Sequence, residues 1–272
     1  MILITTALQE TFPKDISEKV LFLGEWCKVY NKKSVWRKFD SQTMPYHWDD
    51  REKLYTDYQN IQIIYEKILL ELSNKLNETH QVNYSLRYWR ILIGPWLGYF
   101  IQILFDRWFM LKAVLDNDQK YHCRIVKRPP LSVVPNNMDH FTKWFTTDDW
   151  NEAIYGQLIE LYWANKVHIT WVEKIKQTPQ PFVKKTLIKK YIREKVFPYL
   201  NKFFINDNNH FFISTYLPLK TELKLQIRLG QIPNLWTTQS SPIVRSCAKQ
   251  RKWKLNGERG GTFEEVLRKM IP

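Results

Sequence analysis

The feature that most constrains this chain is an apolar run from Ile91 to Phe105, bounded by Arg90 and Asp106. It is apolar on nearly every side, so a helix made from it needs cover all round. At fifteen residues it falls short of the ~20 that cross a bilayer. A central helix buried among other elements is therefore expected. Pro95 cannot donate its backbone hydrogen bond and crowds the preceding turn, which predicts a kink there. Along this helix Arg90, Gly94, Gly98, Gln102 and Asp106 recur every four residues. Two readings of that line stay open: close packing against another backbone, or the wall of a site.

A second helix is legible just before it. Leu54, Tyr58, Ile61, Tyr65, Ile68, Leu72 and Leu76 stand three or four residues apart, one apolar stripe. Asp49, with Glu52 three residues on, reads as the start of that helix in an Asp-led capping box. Residues 77–85 join the two helices.

Around this pair the chain alternates strands and helices without hairpin signals or a repeat, which predicts an α/β fold with a mostly parallel sheet and a large helical insertion. Residues 2–7 (ILITTA) and 20–27 (VLFLGEWC) read as buried strands, and residues 31–44 as polar loop. Residues 121–134 look extended up to Pro129 and Pro130, which cannot sit inside a central strand. A helix capped by Thr147 or Asp148 runs to Trp163, and a basic helix spans residues 183–202. Residues 211–217 (FFISTYL) read as a strand and 221–229 as a short helix stopped by Gly230. Thr262 and Glu265 form a capping box for the last helix.

Charge divides the chain. Residues 1–118 hold 15 Lys and Arg against 15 Asp and Glu, while residues 119–272 hold 26 against 12, so the net +14 lies entirely in the second part. A neutral region 1–118 and a basic region 119–272 are the expected divisions, as two lobes or one continuous domain. Clusters at Lys184–Lys195 and Arg245–Lys254 would attract anionic lipid, phosphorylated ligands or nucleic acid, or form a solvated face. Cys27, Cys123 and Cys247 are far apart and form no CxxC pair, which fits a reduced compartment. With no basic leader before MILITTALQETF, a cytoplasmic protein is expected.

The chain has no GxGxxG, Walker, HExxH or GxSxG motif, and its six histidines lack metal-ligand spacing. No cofactor or metal is expected. Residues 257–262 (GERGGT) precede a helix and offer a weak anion site. The densest polar group is Tyr46-His47-Trp48-Asp49-Asp50-Arg51. It reads either as a His oriented by a carboxylate for general base work, or as a helix start with acids favoured by the dipole. Glu25, following the second strand, stands where α/β proteins place ligand contacts.

The phrases LITTALQETF, VLFLGEWCKVY, PYHWDDREKLYTDYQ and RYWRILIGPWLGYFIQILFDRW, in this order, resemble a family of bacterial transferases associated with gene clusters for surface polysaccharide and O-antigen synthesis. Looser agreement continues through STYLP, LGQIP and TFEEVLRKMIP. The resemblance implies a glycosyltransferase-like enzyme of two Rossmann-like halves, in the GT-B manner. It also implies that this chain corresponds to the N-terminal, acceptor-side half and is inactive alone. A nucleotide-sugar donor would be bound by the other half, and a lipid-linked or glycan acceptor by this one. On their chemistry, His47 or Asp49 would deprotonate the acceptor, and Glu25, Asp50, Arg51, Arg87 and Arg90 would hold substrate. Lys185, Lys189 and Arg193 would face an anionic membrane surface. The other classes are a non-catalytic basic module for nucleic acid or membrane, or a structural partner of a separately encoded half. The charge-balanced YHWDDR region weighs against nucleic acid.

Overall fold

The computed structural model describes residues 1–129, 132–175, 210, 212, 215–231, 255 and 262–271. Two compact units are resolved, Met1–Ile175 with Ile243–Pro272, and Lys176–Pro242. In the first, five strands form one all-parallel sheet: β1 (Ile2–Ile4), β2 (Val20–Phe22), β3 (Ser41–Thr43), β4 (Tyr121–Val126) and β5 (Val167–Val172), in the order β3-β2-β1-β4-β5. Ile2, Leu3 and Ile4 pair with Val20, Leu21 and Phe22 on one side, and Ile2 and Leu3 with His122 and Cys123 on the other. This is the doubly wound, Rossmann-like order, in which the strand sequence reverses between β1 and β4.

The crossover from β3 to β4 is a helical hairpin. Helix α1 (Lys33–Trp36) precedes β3; α2 (Arg51–His80) and α3 (Leu86–Leu115) follow it. At 1.5 Å per residue each of the long pair runs ~45 Å, far beyond the sheet. Asn77 sets the turn between them: its Oδ1 accepts from Tyr84 N at 3.1 Å and from Trp89 Nε1 at 2.8 Å, and its Nδ2 donates to Tyr84 O at 3.0 Å. Gln81 takes the left-handed conformation (φ 54°) that ends α2. The α2 stripe is as expected at Ile61, Ile68 and Leu72, with Ile64 and Leu69 added; Tyr58 is exposed.

Helix α3 is buried over only part of its length. Leu97, Ile101, Leu104, Met110, Leu111 and Leu115 are sealed in the core, but Ile91 is 71% and Leu92 60% exposed. The first turns of α3 thus keep one side in solvent, and the expectation of all-round burial fails there. The helix continues unbroken through Pro95.

The rest of this unit is β4, then α4 (Met138–Trp144), α5 (Asp148–Tyr162), β5, and a final helix, here α7 (Phe263–Met270). Thr147 caps α5 through its side chain, accepting from Trp150 N at 3.3 Å. Thr262 precedes α7 without a side-chain cap bond, so the predicted capping box is not formed. The core joins Leu3, Leu21, Cys123 and Ile125 of the sheet to α2, α3, α5 and α7. A smaller cluster of Ile2, Ile4, Val20, Phe22, Phe12 and Cys27 lies on the opposite face. The change of charge after Asp118 falls in the turn between α3 and β4, within a single sheet.

In the second unit, α6 (Leu219–Arg228) ends at Gly230, whose φ of +73° is one that side chains resist. Of the predicted strand at 211–217, the described residues Phe212 and Thr215–Leu217 are not in a strand, and Tyr216 is 100% exposed at φ 55°. The basic helix, both basic clusters and the GERGG loop lie outside the described residues.

Candidate functional site

Beyond the carboxyl ends of β2 and β3 opens a cleft of about 640 Å³, lined by Glu25, Trp26, Thr43, Met44, Pro45, Tyr46, Asp49, Asp106 and Arg107. Open α/β sheets bind ligands at this edge because strand ends and helix starts leave space and directed backbone groups there. Local sequence builds the walls. After β2, Gly24 leads into a short 3-10 turn, Glu25–Cys27. Its Trp26 donates from Nε1 to Thr5 O at 2.9 Å, which fixes the indole. After β3, a turn closed by Asp49 N to Tyr46 O at 3.0 Å turns the chain into α2. The ring of Tyr46 meets Trp26 edge-on, centroids 6.0 Å apart.

The floor comes from the far end of α3. Asp106 is buried, its side chain 3% exposed. His47 Nε2 lies 3.0 Å from Asp106 Oδ1, and the Arg107 guanidinium pairs with Oδ2. The Tyr46 hydroxyl is a third partner. Burial alone would raise the pKa of Asp106. His47, Arg107 and Tyr46 outweigh that and hold the carboxyl below its usual range. Arg107 is held in turn by Asn151, with Nε and Nη2 donating to Oδ1 at 3.0 and 2.9 Å. Behind it Tyr155 is fully buried, its hydroxyl proton tightened by desolvation, with the guanidinium 5.8 Å from its ring. This leaves a fixed carboxylate–guanidinium pair at the base of an aromatic-walled cleft.

Of the residues named from sequence, Glu25 and Asp49 line this cleft; Glu25 also pairs with Lys28 at 2.7 Å. His47 does not line it. Its side chain is 7% exposed, tilted against Trp48 at 4.5 Å and stacked on Phe109 at 6.4 Å, behind Asp106. Asp50, rather than Asp49, is the helix cap: its Oδ1 accepts from Glu52 N and Lys53 N, both at 3.0 Å. Arg51 is exposed on the first turn of α2. Arg87 and Arg90 lie elsewhere. The hairpin carries the start of α3 away from the sheet, and Arg90 stands about 24 Å from Asp106 along the helix at its normal rise. There Arg90 forks onto Glu66, both bonds 2.6 Å, beside a groove of about 350 Å³ floored by Gly94 and Gly98. Lys185, Lys189 and Arg193 lie outside the described residues.

Asp106 was read from the sequence only as one end of a line that could be packing or a site wall, and Arg107, Asn151 and Trp26 were not singled out. A signal existed for two of them. An adjacent Asp and Arg inside an apolar helix need a partner for each charge. Asn151 and Trp26 gave none, because only the fold brings them to the cleft.

Cys27 and Cys123 are buried free thiols, each pushed up to about 12 by desolvation, and therefore unreactive. Among the described residues no group of three or more His, Cys, Asp and Glu side chains is placed to hold a metal. No described helix is long and apolar enough to cross a membrane. No curated protein and no solved structure matches the chain. The sequence model of the LIC12162 family transferases, however, matches residues 1–272, and with an all-parallel Rossmann-like sheet carrying a polar cleft at its carboxyl edge, the chain belongs to that transferase family.

Proposed function

We propose that the transferred group is a sugar and that the cleft beyond β2 and β3 receives the acceptor. The observation that carries this is the lining itself: carboxylates at Glu25, Asp49 and Asp106 beside the rings of Trp26 and Tyr46. Carboxylates accept from vicinal hydroxyls, and aromatic rings cover the apolar face of a sugar. Motifs shared with transferases of surface-polysaccharide and O-antigen gene clusters support the same reading. The nucleotide-sugar donor belongs, on this proposal, to a second Rossmann-like lobe in the GT-B manner, and this lobe alone does not turn over.

The step itself is a displacement at the donor's anomeric carbon. The acceptor hydroxyl oxygen forms the new bond, the bond to the nucleotide phosphate breaks, and the nucleoside diphosphate leaves with its electron pair. Asp49, exposed in the cleft and free of the cap role, takes the hydroxyl proton. His47 acts one layer back by orienting Asp106 against Arg107. A lipid-linked glycan acceptor would bring the protein to the inner face of the cytoplasmic membrane, where Lys185, Lys189 and Arg193 supply attraction.

The test is sugar transfer by the complete two-lobed enzyme. Asp49→Asn is expected to lower the rate about 10²–10⁴-fold without moving the unfolding midpoint. Asp50→Ala should do the reverse, losing about 0.5–2 kcal/mol of stability as a lost cap with the rate per folded molecule kept. Full activity in Asp49→Asn would remove Asp49 as base. Salt-sensitive binding to arbitrary DNA with no glycan binding would instead favour the basic module.

A further inference from the structure

We infer that the acceptor group entering this cleft is an uncharged or amino sugar, and that uronic acids and sugar phosphates are turned away. This deepens the sugar-transfer reading and rests on it. The chain as a whole carries +14, so an anionic acceptor would be the natural guess from composition. Among the described residues the cleft has the opposite balance. Their part of its lining has three carboxylates, Glu25, Asp49 and Asp106, and one cation, Arg107.

The guanidinium is already committed. Its Nη1 pairs with Asp106, while Nε and Nη2 serve Asn151 Oδ1 at 3.0 and 2.9 Å. An incoming carboxylate or phosphate would have to take Arg107 from Asp106 and leave that buried carboxylate short of its partner. Two groups stand just behind the lining: the Lys28 ammonium on Glu25 at 2.7 Å, and the His47 imidazole on Asp106 at 3.0 Å. With Lys28 counted, the balance is still negative, and Asp49 faces the cleft with no ion-pair partner among the described residues. A neutral sugar loses nothing to this field and gains acceptors for its hydroxyls. An ammonium group on the sugar gains further from Asp49.

The aromatic wall makes the same selection by shape. Trp26 is fixed by its bond to Thr5 O and Tyr46 by Asp106, so both rings are set before a ligand arrives. A prepositioned ring stacks on an apolar sugar face at small ordering cost, and it offers an anion only its electron-rich surface. Asp49 and Glu25 are thus the specificity residues, and Arg107 is a structural cation rather than an anion receptor.

The experiment uses three defined tetrasaccharides of one length: glucosamine, N-acetylglucosamine and galacturonic acid. Binding to the full chain is measured by titration calorimetry, at two salt concentrations. The expected order is glucosamine, then N-acetylglucosamine, with galacturonate about tenfold or more weaker, from one uncompensated charge at close range. Raising salt should narrow the spread. Glu25→Gln with Asp49→Asn, both exposed side chains, should cut glucosamine binding about tenfold and strengthen galacturonate. Galacturonate binding as tight as the neutral oligomer would overturn this inference and leave the sugar reading standing. No binding that responds to the double neutralisation would remove both.

Discussion

At Asp106 a single side chain ties β3's exit, α3 and α5 together. A carboxylate that is 3% exposed is tolerated because three groups converge on it, from His47, Arg107 and Tyr46. Removing the charge would leave the half-buried Arg107 with Asn151 as its remaining described hydrogen-bond partner, and breaking a largely buried pair costs up to about 3–5 kcal/mol. Asp106→Asn should therefore lower the urea midpoint strongly at pH 7. The sign of its pH dependence follows from the depressed folded value. Asp106 contributes fully above the unfolded carboxyl value of about 3.9, and that contribution is lost as pH falls through the lower folded value. The gap between wild type and Asp106→Asn should thus hold at pH 5 to 7 and close on further acidification. A gap that stays constant down to pH 2 would mean the pair does not act as described. Sequence reading saw Asp106 only as the end of a four-residue line that could be packing or a site wall. The chemistry around it was hidden because Asn151 and Tyr155 are 45 and 49 positions away.

The helices were the most legible elements, since their period is written into long runs; α2, α3, α5, α6 and α7 all stand within a few residues of where the pattern put them. Strands β3 and β5 were not read from the sequence. Ser41–Thr43 is three residues long, polar and at the sheet's edge, and lacks the apolar alternation that a half-buried strand shows. Val167–Val172 does alternate, with Val167, Ile169 and Trp171 against His168 and Thr170, but it is short, and Trp171 is left in solvent. The glycine line on α3 packs tightly at one position and loosely at the other. A Cβ on Gly94 would lie 2.6 Å from the Tyr65 hydroxyl, whereas one on Gly98 would lie 3.8 Å from that ring, an ordinary contact. Gly98→Ala should accordingly stabilise by about 0.5–1 kcal/mol through helix propensity. Gly94→Leu should destabilise by about 1–3 kcal/mol through overpacking. Tyr65→Phe removes the obstructing oxygen, so Gly94→Ala should be better tolerated in that background. A double-mutant cycle by thermal unfolding measures the coupling, and strict additivity would show that α2 and α3 do not meet there.

Across the whole first unit, the sheet order was only half visible in the sequence, because strand alternation predicts a parallel sheet but not which strands neighbour β1. What closes that unit is the last helix. Helix α7 returns to the α2–α3 hairpin across a separation of 197 residues, with Lys67 on Glu264 at 2.5 Å and Arg268 forked onto Glu71 at 2.8 and 2.7 Å. Beneath these bonds Val266 and Leu267 are fully buried, and Phe263 packs edge-on against Phe105 at 5.0 Å. The apolar contacts should dominate, because the ion pairs are partly exposed and water competes for them. Leu267→Ala is expected to cost about 2–5 kcal/mol as a core truncation that leaves a cavity. Lys67→Ala, whose pair with Glu264 is the more exposed of the two, should cost under about 1 kcal/mol. Because Phe105 neighbours Asp106, loosening α7 should also reach the cleft: Leu267→Ala should weaken ligand binding there even under conditions where most molecules remain folded. Urea unfolding followed by tryptophan fluorescence measures the first effect and titration of the folded variant the second. If Leu267→Ala unfolded with the wild-type midpoint, α7 would be an appendage, and the unit's core would close on β5 instead.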